Sequence, residues 1–342
     1  MKLGLFERRE IRSRARLSIN LFTEIIVKLR GDGCKLALKI RKKKKKRNKP
    51  FDLLPMTSSL FTPVVCGKKS APSKGTIVFL AGFPDDQSSF DKVAPAFEDT
   101  HTVVKLCMPD YDKRKLGRFL GYPFYEILES LHALLSLYKQ KNGELTLVGH
   151  DWGSFICQLY VHRFPETVDR LVLLDVGYIN PKRATLHTLV VFLSYQTWLC
   201  FSFLLGRLTF TILGDIMMGI YPWRLIGPCP HEDELGVPLN RLAETKSWWG
   251  RFLKGRHCWF GYPYFRSHYM RWSEKYPLKT SMPTCPVLFV YGTRKRILFH
   301  TSDFLSKLEK KGDGSAHLAL DCGHWIQFQK PNELIEKMKE FL

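Results

Sequence analysis

The chain has 342 residues, long enough for one large α/β domain with an insertion, and carries a net charge of +21 from 53 Lys/Arg against 32 Asp/Glu. Its nine cysteines are an odd number without a C-x-x-C pair, and no apolar leader with a small-residue cleavage site opens it. These features argue against a disulfide-stapled secreted domain and for a reducing, intracellular setting, cytoplasmic or membrane-associated.

The charge is unevenly spread. Residues 1–49 hold 18 Lys/Arg against 4 Asp/Glu and so supply +14 of the total. Within them Leu17, Leu21, Phe22, Ile25 and Leu29 recur at helical spacing, with Arg16, Asn20, Glu24 and Lys28 on a polar side. Residues 41–47 are seven consecutive positive charges, which repel one another and favour an extended chain. Together they suit an anionic membrane surface, at roughly 1 kcal/mol per basic residue near the lipid. A nuclear localisation signal, a transit peptide or a leader without function are the competing readings; Glu7, Glu10 and Glu24 count against a transit peptide. Nucleic-acid binding is not expected, because the charge is a tail and no aromatic residue interleaves the basic run.

Pro50 marks the end of the tail. From 51 to 73 the pattern allows one or two early strands. Thr76, Ile77, Val78, Phe79 and Leu80 form a buried-strand run that ends in Ala81-Gly82-Phe83-Pro84. A strand is predicted over 101–106, and a helix over 124–138 from Ile127, Leu128, Leu131, Leu134 and Leu135. Strand and helix patterns alternate, which predicts a mostly parallel sheet with helices on both faces. The next strand, 144–148, runs into Gly149-His150-Asp151-Trp152-Gly153, and helical spacing resumes from Ser154. Asp151 is therefore placed at a strand-to-helix turn between two glycines, where G-x-S-x-G elbows hold a nucleophile. An ionised carboxylate there needs no base to activate it and can attack a saturated carbon, leaving an alkyl ester on the protein.

Gly149-His150-Asp151-Trp152-Gly153 resembles the elbow of α/β-hydrolases of the epoxide hydrolase and haloalkane dehalogenase group. Ala81-Gly82-Phe83-Pro84 resembles the H-G-x-P loop of the same group, with Ala81 in place of the histidine. The resemblance implies an oxyanion hole made by the backbone N–H groups of Phe83 and Trp152. It also separates two chemistries. Dehalogenases of this group hold the departing halide between the tryptophan after the nucleophile and a second donor, often an Asn at the Phe83 position. Phe83 has no side-chain donor, so the loop leans towards epoxides.

Residues 169–177 read as a further buried strand with Asp175 at its carboxyl end. After the strand at 285–292 most epoxide hydrolases carry the acid that orients the catalytic histidine, but here Thr293-Arg294-Lys295-Arg296 follows, with Lys295 about where that acid would fall. Some members take the acid from the earlier strand end, which points to Asp175, with Asp303 as the fallback. The last strand, 316–320, is followed by Asp321-Cys322-Gly323-His324-Trp325, which resembles the group's histidine loop and implies His324 as general base. A C-terminal helix is predicted over 331–342.

Some hundred residues between Tyr178 and Pro283 interrupt the sheet pattern, in the place and at the size of the helical cap of such hydrolases. Residues 188–206 carry no formal charge; a buried pair of cap helices is the favoured reading, over a membrane span or shallow membrane contact. Tyr195-Gln196 resembles the site of one of two tyrosines that hydrogen-bond the epoxide oxygen, and Tyr264 is the best match for the second, with Tyr262 and Tyr269 as rivals. The expectation is thus an α/β-hydrolase fold: a basic tail (1–50), a core in two parts (51–177 and 284–342) and an inserted helical cap (178–283). Its expected reaction is hydrolysis of a small apolar epoxide to a diol with no metal or organic cofactor. Hydrolytic dehalogenation, or a catalytically silent hydrolase fold binding a ligand at a membrane, are the alternatives.

Overall fold

The computed structural model describes residues 59–66, 73–113, 116–178, 186–221, 256–278, 282–295 and 297–342. The chain divides into two compact units, Met1–Met56 and Thr57–Leu342, and all the described residues belong to the second. The basic tail therefore lies outside the described residues, as do 179–185 and 222–255 within the insertion.

Seven strands form one sheet: β1 (Val64–Cys66), β2 (Thr76–Ala81), β3 (Thr102–Cys107), β4 (Leu145–His150), β5 (Arg170–Leu174), β6 (Val287–Gly292) and β7 (Ala316–Leu320). Their order is β1-β3-β2-β4-β5-β6-β7, with β1 antiparallel to β3 and every other pair parallel. Every residue of β2 and β4 is buried, which is why both read as unbroken apolar runs rather than alternating ones. Helices α1 (Phe124–Asn142) and α2 (Trp152–Arg163) flank β4 in the chain. On α1 the inward side is Phe124, Ile127, Leu128, Leu131 and Leu135, the stripe its spacing predicts. This is the α/β-hydrolase fold.

The chain runs from β2 outward to β3 and then returns across β2 to β4. The strand order reverses there, and a parallel sheet opens a crevice for ligands at the carboxyl ends beside such a reversal. Pairing of Leu80 with Gly149 sets the loop after β2 directly beside the loop after β4.

Between β5 and β6 the described residues are helical: α3 (Leu186–Leu208), α4 (Thr211–Ile220) and α5 (Tyr262–Tyr269). A Cβ on Gly214 would stand 2.7 Å from the Gly206 Cα, so these helices cross where neither has a side chain. The expectation of a buried pair over 188–206 needs correction. One side of α3, with Tyr195, Leu199, Cys200 and Phe203, is buried, but Val190, Leu193, Phe201 and Leu208 on the other are exposed. Both faces are largely apolar and uncharged, so sequence alone does not separate the buried one from the exposed one. The chain closes with α6 (Ser302–Glu309), the short α7 (Ile326–Gln329) and α8 (Pro331–Phe341).

Candidate active site

Asp151 caps α2 with φ +53°, a left-handed conformation that costs a non-glycine residue about 1–3 kcal/mol. The packing behind it holds that strain. A Cβ on Gly153 would come within 2.0 Å of the Leu80 carbonyl oxygen, so only glycine lets α2 start this close to β2. Ser154 donates to the Gly149 carbonyl at 2.6 Å and accepts from the Leu174 N–H at 3.1 Å, tying the turn to β5. Ser154 was not singled out in the sequence; its place one residue past the second glycine is the only cue.

The turn aims the Asp151 carboxylate at two groups. Oδ1 accepts the Phe83 N–H at 2.7 Å, and Oδ2 faces His324 Nε2 at 3.5 Å. Phe83 precedes a cis proline, Pro84. Trp152 is the first residue of α2, so its N–H has no partner within the helix, and it lies 2.3 Å from where a Gly82 Cβ would be. The two sequence-predicted N–H donors thus flank the carboxylate's loop, with the contact to Oδ1 made by Phe83. Asp151 and His324 retain 14% and 15% side-chain exposure.

His324 Nδ1 is hydrogen-bonded to Asp175 Oδ2, on a carboxylate that is fully buried. Of the two acids the sequence left open, Asp175 is the one brought to the histidine; Asp303 sits on α6, 3.7 Å from Lys307. Asp175 also has a positive φ, +69°, at the end of β5. Its Oδ1 accepts the Gly292 N–H at 3.2 Å. Lys295, read only as the residue standing in the usual acid's place, reaches back to Asp175 Oδ2 at 2.5 Å and is itself 2% exposed. Its ammonium also lies 4.7 Å above the Phe299 ring. A cation in that position could not orient an imidazole, but it can hold the acid that does.

These charges set the titration of the group. Burial alone would raise the Asp175 carboxyl, but the Lys295 ammonium and the His324 ring together hold it well below the carboxylate range. Burial alone would lower His324, but the charge of Asp175 and the hydrogen bonds to Asp151 and Asp175 push it up to about 10. With Asp151 ionised, His324 is an imidazolium at neutral pH. Its folded value exceeds the ordinary 6.5, so its contribution to stability is complete below pH 6.5 and is lost as the pH rises through about 10. His150, between Gly149 and Asp151, is pushed down to about 4 by burial and by the His324 charge. Neutral, it donates through Nε2 to the His324 carbonyl at 3.1 Å and so ties the histidine loop to the elbow. Trp325 anchors the same loop by donating to Asp85 Oδ2 at 2.7 Å.

The insertion brings aromatic rings over this group. Tyr264 meets Trp152 edge-on at 4.9 Å between ring centroids and Phe83 at 5.5 Å, and Tyr195 lies 6.0 Å from Tyr264. Burial, reinforced by the Asp151 charge, raises both phenols far above their ordinary pKa, so both are neutral donors. Gln196 donates to the Tyr195 oxygen at 3.2 Å, which leaves the phenolic proton free to point elsewhere. The rivals are elsewhere. Tyr262 packs between Tyr111 and Tyr122 at 5.9 and 6.0 Å, and Tyr269 stacks on Phe265. Phe299, 6.0 Å from His324 and 6.5 Å from Tyr195, completes an apolar wall that nothing in its sequence setting announced. Among the described residues no group of three or more His, Cys, Asp or Glu side chains is arranged to hold a metal ion.

Comparisons with known proteins agree with this geometry at the level of fold. Residues 75–200 match the α/β hydrolase fold family. The cis-3-alkyl-4-alkyloxetan-2-one decarboxylase of Shewanella oneidensis is 24% identical over 78% of this chain and 81% of its own length. Epoxide hydrolase 1 of Caenorhabditis elegans is 20% identical over 79% of this chain, which spans 65% of that relative. Among solved structures, a Bacillus megaterium epoxide hydrolase mutant superposes with a TM-score of 0.58 at 16% identity, over 82% of this chain and 96% of its own.

Proposed function

We propose, from the premise that the chain is an α/β hydrolase, that it opens small apolar epoxides to diols through an ester on Asp151, with residues 178–283 acting as the cap over the pocket. The observation that carries this reading is the carboxylate at the elbow, held between the Phe83 N–H and His324, with the Tyr264 ring packed on Trp152 and Phe83 and the Tyr195 ring beside it.

Asp151 Oδ2 attacks an epoxide carbon as the carbon–oxygen bond breaks, and Tyr195 and Tyr264 hydrogen-bond and protonate the departing ring oxygen. Oδ1 becomes the ester carbonyl, already in contact with the Phe83 N–H. His324 Nε2 then takes a proton from water, which attacks the Asp151 carboxyl carbon. The resulting oxyanion develops on Oδ1, where each backbone donor is worth about 2.7–4 kcal/mol. Collapse breaks the bond between the carboxyl carbon and Oδ2, the leaving oxygen takes the proton held by His324, and the carboxyl proton that water left on Asp151 returns to the histidine, releasing the diol with one oxygen taken from Asp151.

This order resolves the charge on His324. An imidazolium cannot act as a base, but forming the ester removes the Asp151 charge that helps hold the proton on, so His324 gives that proton up to restore the tyrosine that protonated the ring oxygen and is neutral when water arrives. Lys295 works in the same direction by sharing the Asp175 carboxylate. Lys295→Met is therefore expected to move the pH dependence of ester hydrolysis to higher pH while ester formation keeps its rate, as followed by stopped-flow across the alkaline range. An unmoved profile would leave Lys295 a packing residue only.

Tyr195→Phe and Tyr264→Phe are each expected to slow ester formation by about 10²- to 10³-fold, the usual effect of removing one aligned donor. Single-turnover kinetics would show it; an unchanged rate with both removed would end the role given to the phenols.

Dehalogenation is disfavoured because Phe83 offers no side-chain donor to a halide. A second reading has a specific observation behind it: the Shewanella relative decarboxylates oxetanones, which are also strained oxygen rings. Product analysis separates the readings. Diol from an alkyl epoxide supports the first, alkene and carbon dioxide from a dialkyloxetanone the second, and alcohol with halide from a haloalkane overturns both.

A further inference from the structure

The outer face of the α3–α4 pair is mostly apolar, uncharged and open, with Ser194, Thr197, Thr209 and Thr211 as its exposed polar residues. On α3, Val190, Leu193, Phe201 and Leu208 stand on one side of the helix; on α4, Ile212, Ile216 and Ile220 do the same. Phe210, in the turn between them, is 73% exposed and the most open of these side chains. Scattered exposed leucines are ordinary, but a contiguous apolar face of this extent marks a surface that meets something. From 186 to 220 the chain has only two formal charges. Asp215 is buried, accepting the Cys258 N–H at 2.8 Å and facing His257 at 3.2 Å, so it adds no anion to the surface. Arg207 stands at the edge, donating to the Phe119 carbonyl at 2.9 Å, with its guanidinium 5.0 Å from the Phe119 ring.

We propose that this face docks on the surface of an anionic lipid bilayer, with α3 and α4 lying in the plane of the interface. The stretch Leu189–Leu208 is long and apolar enough to cross a membrane. Its inner side makes that orientation untenable, because Tyr195 and Gln196 are buried against the protein and Gln196 is hydrogen-bonded to His268. A helix with one face committed to the protein and the other to apolar surroundings lies along a membrane rather than through it. A bilayer fits better than a second copy of the chain. Among the described residues the face and its edge offer no exposed acid to a partner, and a chain of net charge +21 repels its own copy but is drawn to anionic lipid.

Flotation of the full chain with vesicles of phosphatidylcholine and phosphatidylserine, at low and high salt, tests this. The basic residues of 1–49 would give binding that high salt abolishes; insertion of apolar side chains resists it. The expected result is binding that persists at high salt and falls by about tenfold for each of Phe210→Ser and Ile212→Ser. Leu137→Ser, at an exposed leucine of α1, is the control expected to bind as the unaltered chain does. Both patch residues are exposed, so unchanged melting temperatures should accompany the loss. Binding lost entirely at high salt, or equal binding by patch variants and control, would overturn the proposal. So would a dimer that the patch substitutions dissociate in a chain that ignores vesicles.

Discussion

Asp151→Asn is expected to lower kcat/KM for epoxide opening by about 10⁴-fold or more, the scale on which removing a nucleophile acts in a covalent mechanism. The amide keeps an oxygen for the Phe83 N–H, so the turn and the pocket should survive. What it lacks is the negative charge that attacks carbon. The same substitution removes one of the two anions that raise His324, so the histidine should titrate lower in the variant, which an NMR titration of its ring would report. Ligand affinity should remain. A binding protein built on a silent hydrolase fold would show retained affinity as well, but no turnover before the substitution; the comparison with the unaltered chain separates the two.

His324→Gln is expected to leave ester formation intact and to slow ester hydrolysis by about 10²- to 10⁴-fold, the range that general-base catalysis contributes. Steady-state turnover should fall accordingly while the protein accumulates as the ester. Glutamine can hydrogen-bond water but cannot take its proton, so raising the pH should not restore the rate as it would for a weakened base. The stability of this variant should also lose the pH dependence that His324 supplies between 6.5 and about 10. A variant whose ester formed slowly and never accumulated would place His324 in the first step.

The strands were legible because buried parallel strands are apolar on both faces: β2 and β4 appear within a residue or two of their predicted limits, and β5 ends three residues short of its own. Asp151 and His324 were legible for a different reason. Their loops need particular small or aromatic neighbours at fixed spacing, such as Gly153 against the Leu80 carbonyl. The acid was only half legible. The sequence offered Asp175 and Asp303, and nothing local to either tells which one the fold carries to the histidine. Lys295 was visible as a departure from the group's pattern, but its contact to Asp175 spans 120 residues and depends on β5 lying beside β6. Phe299 had no signal at all and Ser154 only its place after the second glycine, since an aromatic in a loop and a serine in a helix have many uses. The choice of Tyr264 over Tyr262 followed the turn of a single helix. Two tyrosines two residues apart on α5 point to different places, one towards Trp152 and one into the Tyr111–Tyr122 wall.

The central claim is a covalent bond between substrate and Asp151. The intact mass of the His324→Gln protein after incubation with alkyl epoxides, followed by mapping of the modified peptide, tests it most directly. An ester on Asp151 requires an added mass equal to that of the whole epoxide, on the peptide containing Asp151 and absent when Asp151→Asn is combined with it. No adduct from folded protein with any epoxide, or an adduct on another residue, would contradict it.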